Sequence, residues 1–350
     1  MAAHRIFCTK DTLSEVIRLR KDRPYSTVLS TIEKLGDLYL EIGSNTELLK
    51  LAATNPIVNK LLKRPARSIK CVNTVLQDIK EPRADDIFLL LPPDSKPYSN
   101  YREKMGVLLT SSLTDMQVID DLGTSHLRPF NLLTADQKRK LQEHGEEYED
   151  ISSWKDVFAT ISLAPINSAI IIDNYLLSSN FERRRPSLYS LIQAIVPKGL
   201  TIPFHLTIFL YNKNGELKKE RMEQVVSEIH ELKLNSKIKV SIVAHTSGDV
   251  THDRNILTNY HLITSGRGFG VIDSRGVKQN AQGEIKSTFH NISFLPSTNS
   301  IKHQHSHILD WMKDIYIDRR GMESLYAFEV GDVFNNRLLS EQPWHNLSMR

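Results

Sequence analysis

The stretch from Val240 to Asp273, VSIVAHTSGDVTHDRNILTNYHLITSGRGFGVID, decides how the chain is read. An alternating apolar run, Ile238 to Val243, enters it, and a second, Phe269 to Ile272, leaves it. Between them stand His252-Asp253-Arg254, then Asn259, then Gly266-Arg267-Gly268. An imidazole, a guanidinium, a carboxamide and a Gly-rich turn at the ends of two strands make a candidate site for a phosphate or another oxyanion. Arg offers a planar fork of donors, and glycines let backbone N–H groups approach an anion closely.

The chain before this stretch sets the fold. Ala169 to Asp173 reads as a strand, Leu188 to Val196 as a helix, and His205 to Leu210 as a second strand. Glu220 to Leu232 is a helix with Met222, Val225, Val226, Ile229 and Leu232 on one face, and Ile238 to Val243 is the third strand. This β-α-β-α-β alternation, with strands that read as near-continuous apolar runs, predicts a mixed or largely parallel sheet covered on both faces. In such sheets ligands bind beyond the C-terminal ends of the strands, which is where the His252 segment begins.

Two further features fall at that edge. Arg183-Arg184-Arg185 follows the first strand, and Arg184 is a candidate phosphate contact overhanging the same crevice as Arg254; the competing reading is a solvated loop. Asp173 is either a polar site residue or a strand-end turn former. Beyond the stretch, Ser287 to Leu295 alternates like another strand, and Ser300 to Tyr316 forms an amphipathic helix. His303, His305 and His307 do not converge on one helix face, so no metal site is assigned there.

The first part of the chain predicts a smaller, helix-rich α/β domain over residues 1–115. Its expected elements are a strand near Arg5 to Cys8 and a helix capped by Thr12 or Ser14. A helical pattern through Val28, Ile32, Leu35, Leu38 and Leu40 follows, then one from Leu48 to Leu62. Strands are expected at Asp86 to Leu91 and Met105 to Leu109. Lys60, Lys63, Arg64, Arg67 and Lys70 form a basic cluster, read first as a solvated helix face and second as an anionic-surface patch. Asp37, Asp85 and Asp86 have no metal-ligand spacing. Residues 116–156 are polar and turn-rich and are expected to be a linker, with a helix from Ala135 to His144 capped by Thr134. The second domain is expected at 157–318 and a surface-docked or disordered tail at 319–350.

The chain's 350 residues allow two domains with proper cores. The formal charge of +4 permits an anionic partner without demanding one. With only Cys8 and Cys71, no disulfide framework or Cys-based metal site is indicated, and a reducing, cytoplasmic setting is expected. No run approaches a membrane span, and no cofactor is implied.

The spacing carries a resemblance. Phospholipase D-type phosphodiesterases have the pattern H-x-K-x4-D-x6-G-S-x-N, and His252, Arg254, Asn259, Gly266, Arg267 and Phe269 fall on it in register. The H-D-R-x4-N, then I-x-x-G-R-G form is closer still to the phospholipase D-like domain at the C-terminus of MIT-domain proteins. The resemblance covers roughly residues 165–300, and no MIT helical module accompanies it. It implies a non-catalytic domain that binds phosphoinositide membranes. Where catalysis persists in the wider family, one His attacks phosphorus, a second protonates the leaving oxygen, and Asp stabilises the imidazolium.

Each replacement has a chemical consequence. Arg254 for Lys keeps charge and gains bidentate phosphate binding. Asn259 for Asp is expected to weaken the orientation of His252 and the stabilisation of its charged form. Arg267 for Ser adds bulk and charge, and Phe269 for Asn removes a phosphate donor. The expectation is a phosphate-binding site made by Arg254, Asn259, Gly266, Arg267, Gly268 and Arg184, with His252 a nucleophile only if the protein is an enzyme. The partner is a nucleic acid or an anionic lipid headgroup. His205, His245, His261 and His290 are candidate second histidines, and a two-fold homodimer would instead supply a second His252. The alternatives are a homodimeric His-dependent phosphodiesterase or nuclease, and a protein–protein adaptor. At the level of the motif, the plain alternative is a loop ion-pair network with glycines needed only for a tight turn.

Overall fold

The computed structural model of the chain describes residues 4–63, 69–84, 86–91, 95–110, 126–161, 165–174, 176–177, 181–212, 215–234, 236–246, 254–266, 268–273, 276–278, 283–289, 300–318, 325–331 and 335–340. It is a mixed α/β protein with one parallel and one mixed sheet.

The first sheet is built from short apolar strands that alternate with helices. β1 (His4–Thr9) runs straight into α1 (Lys10–Arg18), and Thr9 caps it by accepting from Thr12 N at 3.1 Å; the cap is Thr9 and not Thr12 or Ser14, the residues expected. α2 (Tyr25–Leu35) passes without a loop into β2 (Gly36–Glu41). The helical pattern expected to continue to Leu40 therefore stops at Leu35. Apolar spacing changes there from three or four residues to the two-residue step of Leu38 and Leu40, which is a strand's period.

The single helical run expected from Leu48 to Leu62 is two helices, α3 (Asn45–Thr54) and α4 (Pro56–Leu62). Pro56 cannot donate to α3, while Asn55 accepts from Ile57 N at 3.0 Å and starts α4 afresh. β3 (Ile69–Val72), α5 (Val75–Lys80), β4 (Ile87–Leu89), α6 (Tyr101–Met105) and β5 (Leu108–Thr110) complete this unit. The all-parallel order is β3-β2-β1-β4-β5.

The second sheet takes in more of the chain than expected. β6 (His126–Leu132) lies inside the segment expected to be a linker, yet it pairs over its whole length with β14 (Gly283–Phe289) and forms an edge of the sheet. α7 (Ala135–Glu143) follows, closed by a reciprocal capping box between Thr134 and Gln137. Then come α8 (Trp154–Ile161), β7 (Ser168–Ile172), α9 (Phe181–Ile195), β8 (Phe204–Tyr211), α10 (Lys219–Glu231) and β9 (Ile238–His245). β10 (Arg254–Thr258) and β11 (His261–Ser265) make a hairpin, β12 (Ile272–Asp273) and β13 (Gly276–Val277) a small one, and α11 (Ser300–Asp318) follows β14. β15 (Tyr326–Val330) and α12 (Arg337–Ser340) lie in the expected tail, but β15 pairs with β9 and closes the other edge.

The strand order is β15-β9-β8-β7-β10-β11-β14-β6. Only β7, β8 and β9 are parallel; the rest pair antiparallel. Both faces are covered. Leu206, Ile208 and Ile242 pack with α8, α9 and α10 on one side, and Phe209, Val243 and Leu257 pack with Ile308 and Met312 of α11 on the other. The sheet is therefore mixed, and its parallel third is the β-α-β-α-β unit read from the sequence.

Candidate functional site

The β10–β11 hairpin carries the motif, and its two ends lie in different places. β10 runs antiparallel to β7, with Asn255 opposite Ile172, so Arg254 sits one step beyond that pair, at the C-terminal edge of β7. Arg254 also pairs with Ser265 of β11, and its Nη1 donates to Gly266 O at 2.6 Å. The half-buried guanidinium thus lies over the start of the Gly-rich turn.

That turn is held from several sides. Ser265 Oγ donates to Gly268 O at 2.8 Å, and Phe269 N donates to Asp173 Oδ2 at 2.7 Å. Phe269 is fully buried and packs against Trp154, with ring centroids 5.8 Å apart. Phe269 is thus a core anchor, and Asp173 accepts from the turn. Gly268 has φ +84, and a β-carbon there would stand 2.7 Å from Asp173 Oδ2. Only glycine lets the turn come this close.

Helix α9 begins at the same edge. In a parallel β7-α9-β8 unit the helix starts on the side where β7 finishes, and its Ser187 Oγ donates to Gly270 O at 3.4 Å. Lys278 Nζ ties the region together, donating to Ser187 Oγ at 2.7 Å and to Gly270 O at 2.8 Å. Arg254 and Lys278 thus flank the turn, donating to Gly266 O and Gly270 O respectively.

Asn259 is elsewhere. It lies past the far end of β10, about 17 Å from Arg254 at ~3.4 Å per residue over the five residues of the strand. Its Oδ1 accepts from Asn167 N at 2.9 Å and Ser168 N at 3.2 Å, and its Nδ2 donates to Asn167 Oδ1 at 2.9 Å and to Ala84 O. The residue expected to contact phosphate beside His252 is instead a buried joint between the two sheets. Tyr260 beside it is 1% exposed, belongs to the first unit's core and donates to Asp86 O at 3.0 Å.

The remaining expected residues divide. Gly266 is exposed in the turn. His252 and Arg267 lie outside the described residues, as do His290 and the side chain of Arg184, whose backbone falls in the first turn of α9. Arg185, the last of the arginine triplet, forms an ion pair with Glu228 of α10 and so turns toward the next helix.

None of the described candidate second histidines reaches Arg254. His245 is fully buried at the end of β9 against Trp311, three strand spacings or about 14 Å from β10. His261 is at the turn end of the hairpin. His205, second in β8, lies near the opposite edge, and burial, with Arg337 and Lys239 nearby, pushes its pKa down to about 3. A group that stays neutral throughout the physiological range is poorly matched to proton transfer there.

Two members of the first unit's basic cluster are paired. Lys60 pairs with Glu33 at 3.1 Å and Lys70 with Asp37 at 4.0 Å; Arg64 and Arg67 lie outside the described residues. Among the described residues no group of His, Cys, Asp and Glu is arranged to hold a metal, and no helix is long and apolar enough to cross a membrane.

No protein-family model matches this chain, and no curated protein matches it.

Proposed function

We propose that the open end of the β10–β11 hairpin binds phosphate groups, on a nucleic acid or an anionic lipid headgroup, in a phospholipase D-like arrangement that keeps binding and has lost most or all catalysis. The observation that carries this reading is the shared edge. Arg254 and Lys278 set two cations beside the turn at the C-terminal edge of β7, donating to Gly266 O and Gly270 O, and ligands of α/β sheets bind at that kind of edge. Arg184 and Arg267 would add to that charge, the first from the opening turn of α9 and the second from between Gly266 and Gly268.

Arg254→Ala is the direct test. It should weaken binding to single-stranded DNA, RNA or phosphoinositide vesicles about tenfold or more, the loss of one charge-assisted contact of roughly 1.5–3 kcal/mol. Wild-type binding should also fall steeply with added salt. Which ligand responds separates the two sources of phosphate. Equal, salt-insensitive binding by wild type and variant would leave the fold as a scaffold for protein partners.

A second reading, the homodimeric phosphodiesterase, is favoured by one observation. Because Asn259 is remote from Arg254, its replacement of Asp says little about the chemistry at the open end. Asp173, 2% exposed at that end, is a carboxylate suited to orient an imidazole. Turnover of bis(p-nitrophenyl) phosphate that disappears in both His252→Ala and Asp173→Asn would establish this reading. A folded dimer without turnover would exclude it.

A further inference from the structure

Away from the hairpin, a cavity of about 340 Å³ opens between α6 of the first unit and α8 and α9 of the second. Its floor is apolar, made by Phe158, Ile166 and Ile195. Arg102, Lys155 and Lys198 stand around it, and the single carboxylate of the lining, Glu103, accepts from Arg102 Nη1 at 2.9 Å. Positive charge therefore exceeds negative around an apolar hollow.

The walls are already fixed. Thr201 N donates to Lys104 O at 2.8 Å, and Asn167 Nδ2 donates to Met105 O at 3.0 Å, stitching the end of α6 to the second unit. Gly106 closes α6 with φ +59, and a β-carbon there would stand 2.6 Å from Ile166 O. This close backbone approach pins α6 to the second unit beside the cavity. Preformed apolar hollows between domains, with few charged groups at the mouth, are where small ligands bind, and their rigidity lowers the entropic cost of binding.

We propose that this cavity binds a small amphipathic organic anion, with its aromatic or short acyl body on Phe158, Ile166 and Ile195 and its acidic group toward Lys155 and Lys198. Volume limits the ligand to a small molecule, the floor requires an apolar body, and the rim selects negative charge. The ligand touches both units, so binding stabilises their docking by mass action. This site is independent of the hairpin and does not rest on the phosphate-binding reading.

The test uses the full chain and the probe 8-anilino-1-naphthalenesulfonate, an aromatic body with one sulfonate. Wild type should show a saturable, one-site rise in fluorescence. Lys155→Glu with Lys198→Glu should weaken it at least tenfold, and Ala194→Trp, which fills the cavity and keeps the cations, should remove it. Arg254→Ala should leave it unchanged, which separates this site from the hairpin. The uncharged analogue N-phenyl-1-naphthylamine should bind wild type more weakly and ignore the charge reversal, so the proposal stays testable if the tryptophan variant does not fold. Displacement by decanoate or by 2-naphthoate tells an acyl from an aromatic ligand. Displacement by neither, a non-saturating rise, or equal binding by wild type and the charge-reversed protein overturns the proposal.

Discussion

At the turn of the β10–β11 hairpin every polar side-chain atom of Asn259 is engaged and Tyr260 is sealed into the first unit's core, whereas at the open end Arg254 is half-buried and Gly266 is exposed. The two ends belong to one contiguous motif. What differs is the neighbour. The turn meets the parallel sheet of the first unit, where an unpaired amide would be costly, and the open end meets the start of a helix and solvent. A motif in register is therefore not one site: one half of it holds the two units together, and the other half opens to solvent at Gly266.

The sharpest way to break this contrast is at Tyr260. Tyr260 is 1% exposed and belongs to the first unit's apolar core, and its hydroxyl donates to Asp86 O. Truncation to Ala should cost roughly 3–5 kcal/mol, as for other buried aromatics, read as a lower midpoint in urea unfolding. A loss under about 1 kcal/mol would mean that the turn does not join the two sheets.

Asn259→Asp is the more pointed substitution, because it puts an Asp where the proposed phospholipase D-like reading expects one. If Asn259 served the chemistry, activity would rise. In this structure the new carboxylate would lose both donors and face Ala84 O and Asn167 Oδ1. The expected outcome is a loss of about 2–3 kcal/mol in stability, from an unsatisfied buried group, with no gain in phosphodiester turnover. A more active, equally stable protein would reinstate Asn259 as a site residue.

How much of this was legible in sequence follows from how local each signal is. The β7-α9-β8-α10-β9 unit was legible because each element has an apolar period of its own. β2 was misread because Leu35, Leu38 and Leu40 continue an apolar series while the spacing changes under it, and the competing strand is decided by pairing to β1 and β3, far away in sequence. β6 and β15 were missed for the same reason. Each is an edge strand with weak patterning, and its partner, β14 or β9, lies far along the chain. At the hairpin, residue types were legible and their destinations were not. Arg254 and Gly266 stay together because they are cross-strand neighbours, but nothing local to Asn259 announces Ala84 or Asn167. Asp173 was visible only as a polar residue closing an apolar run, and its role depends on a turn 95 residues further on, at Gly268.

The smallest effect is the most discriminating for the open end, because it compares two glycines that look equivalent in the sequence. Gly266 has open space where a β-carbon would go, and its backbone lies outside the left-handed region. Gly268 has φ +84, and its β-carbon would stand 2.7 Å from Asp173 Oδ2, the oxygen that accepts from Phe269 N. Gly266→Ala should therefore change stability by less than about 0.5 kcal/mol, as at other open surface sites. Gly268→Ala should cost roughly 1–2 kcal/mol from the left-handed backbone alone, and it should push Asp173 off the turn. If the turn is a ligand platform, phosphate binding falls in Gly268→Ala and holds in Gly266→Ala. If the glycines serve only to turn the chain, stability separates the two variants in the same way, but binding does not follow it. The comparison thus asks of two neighbouring residues whether the geometry of the open end exists for the fold or for a ligand, and calorimetry beside a binding isotherm answers it.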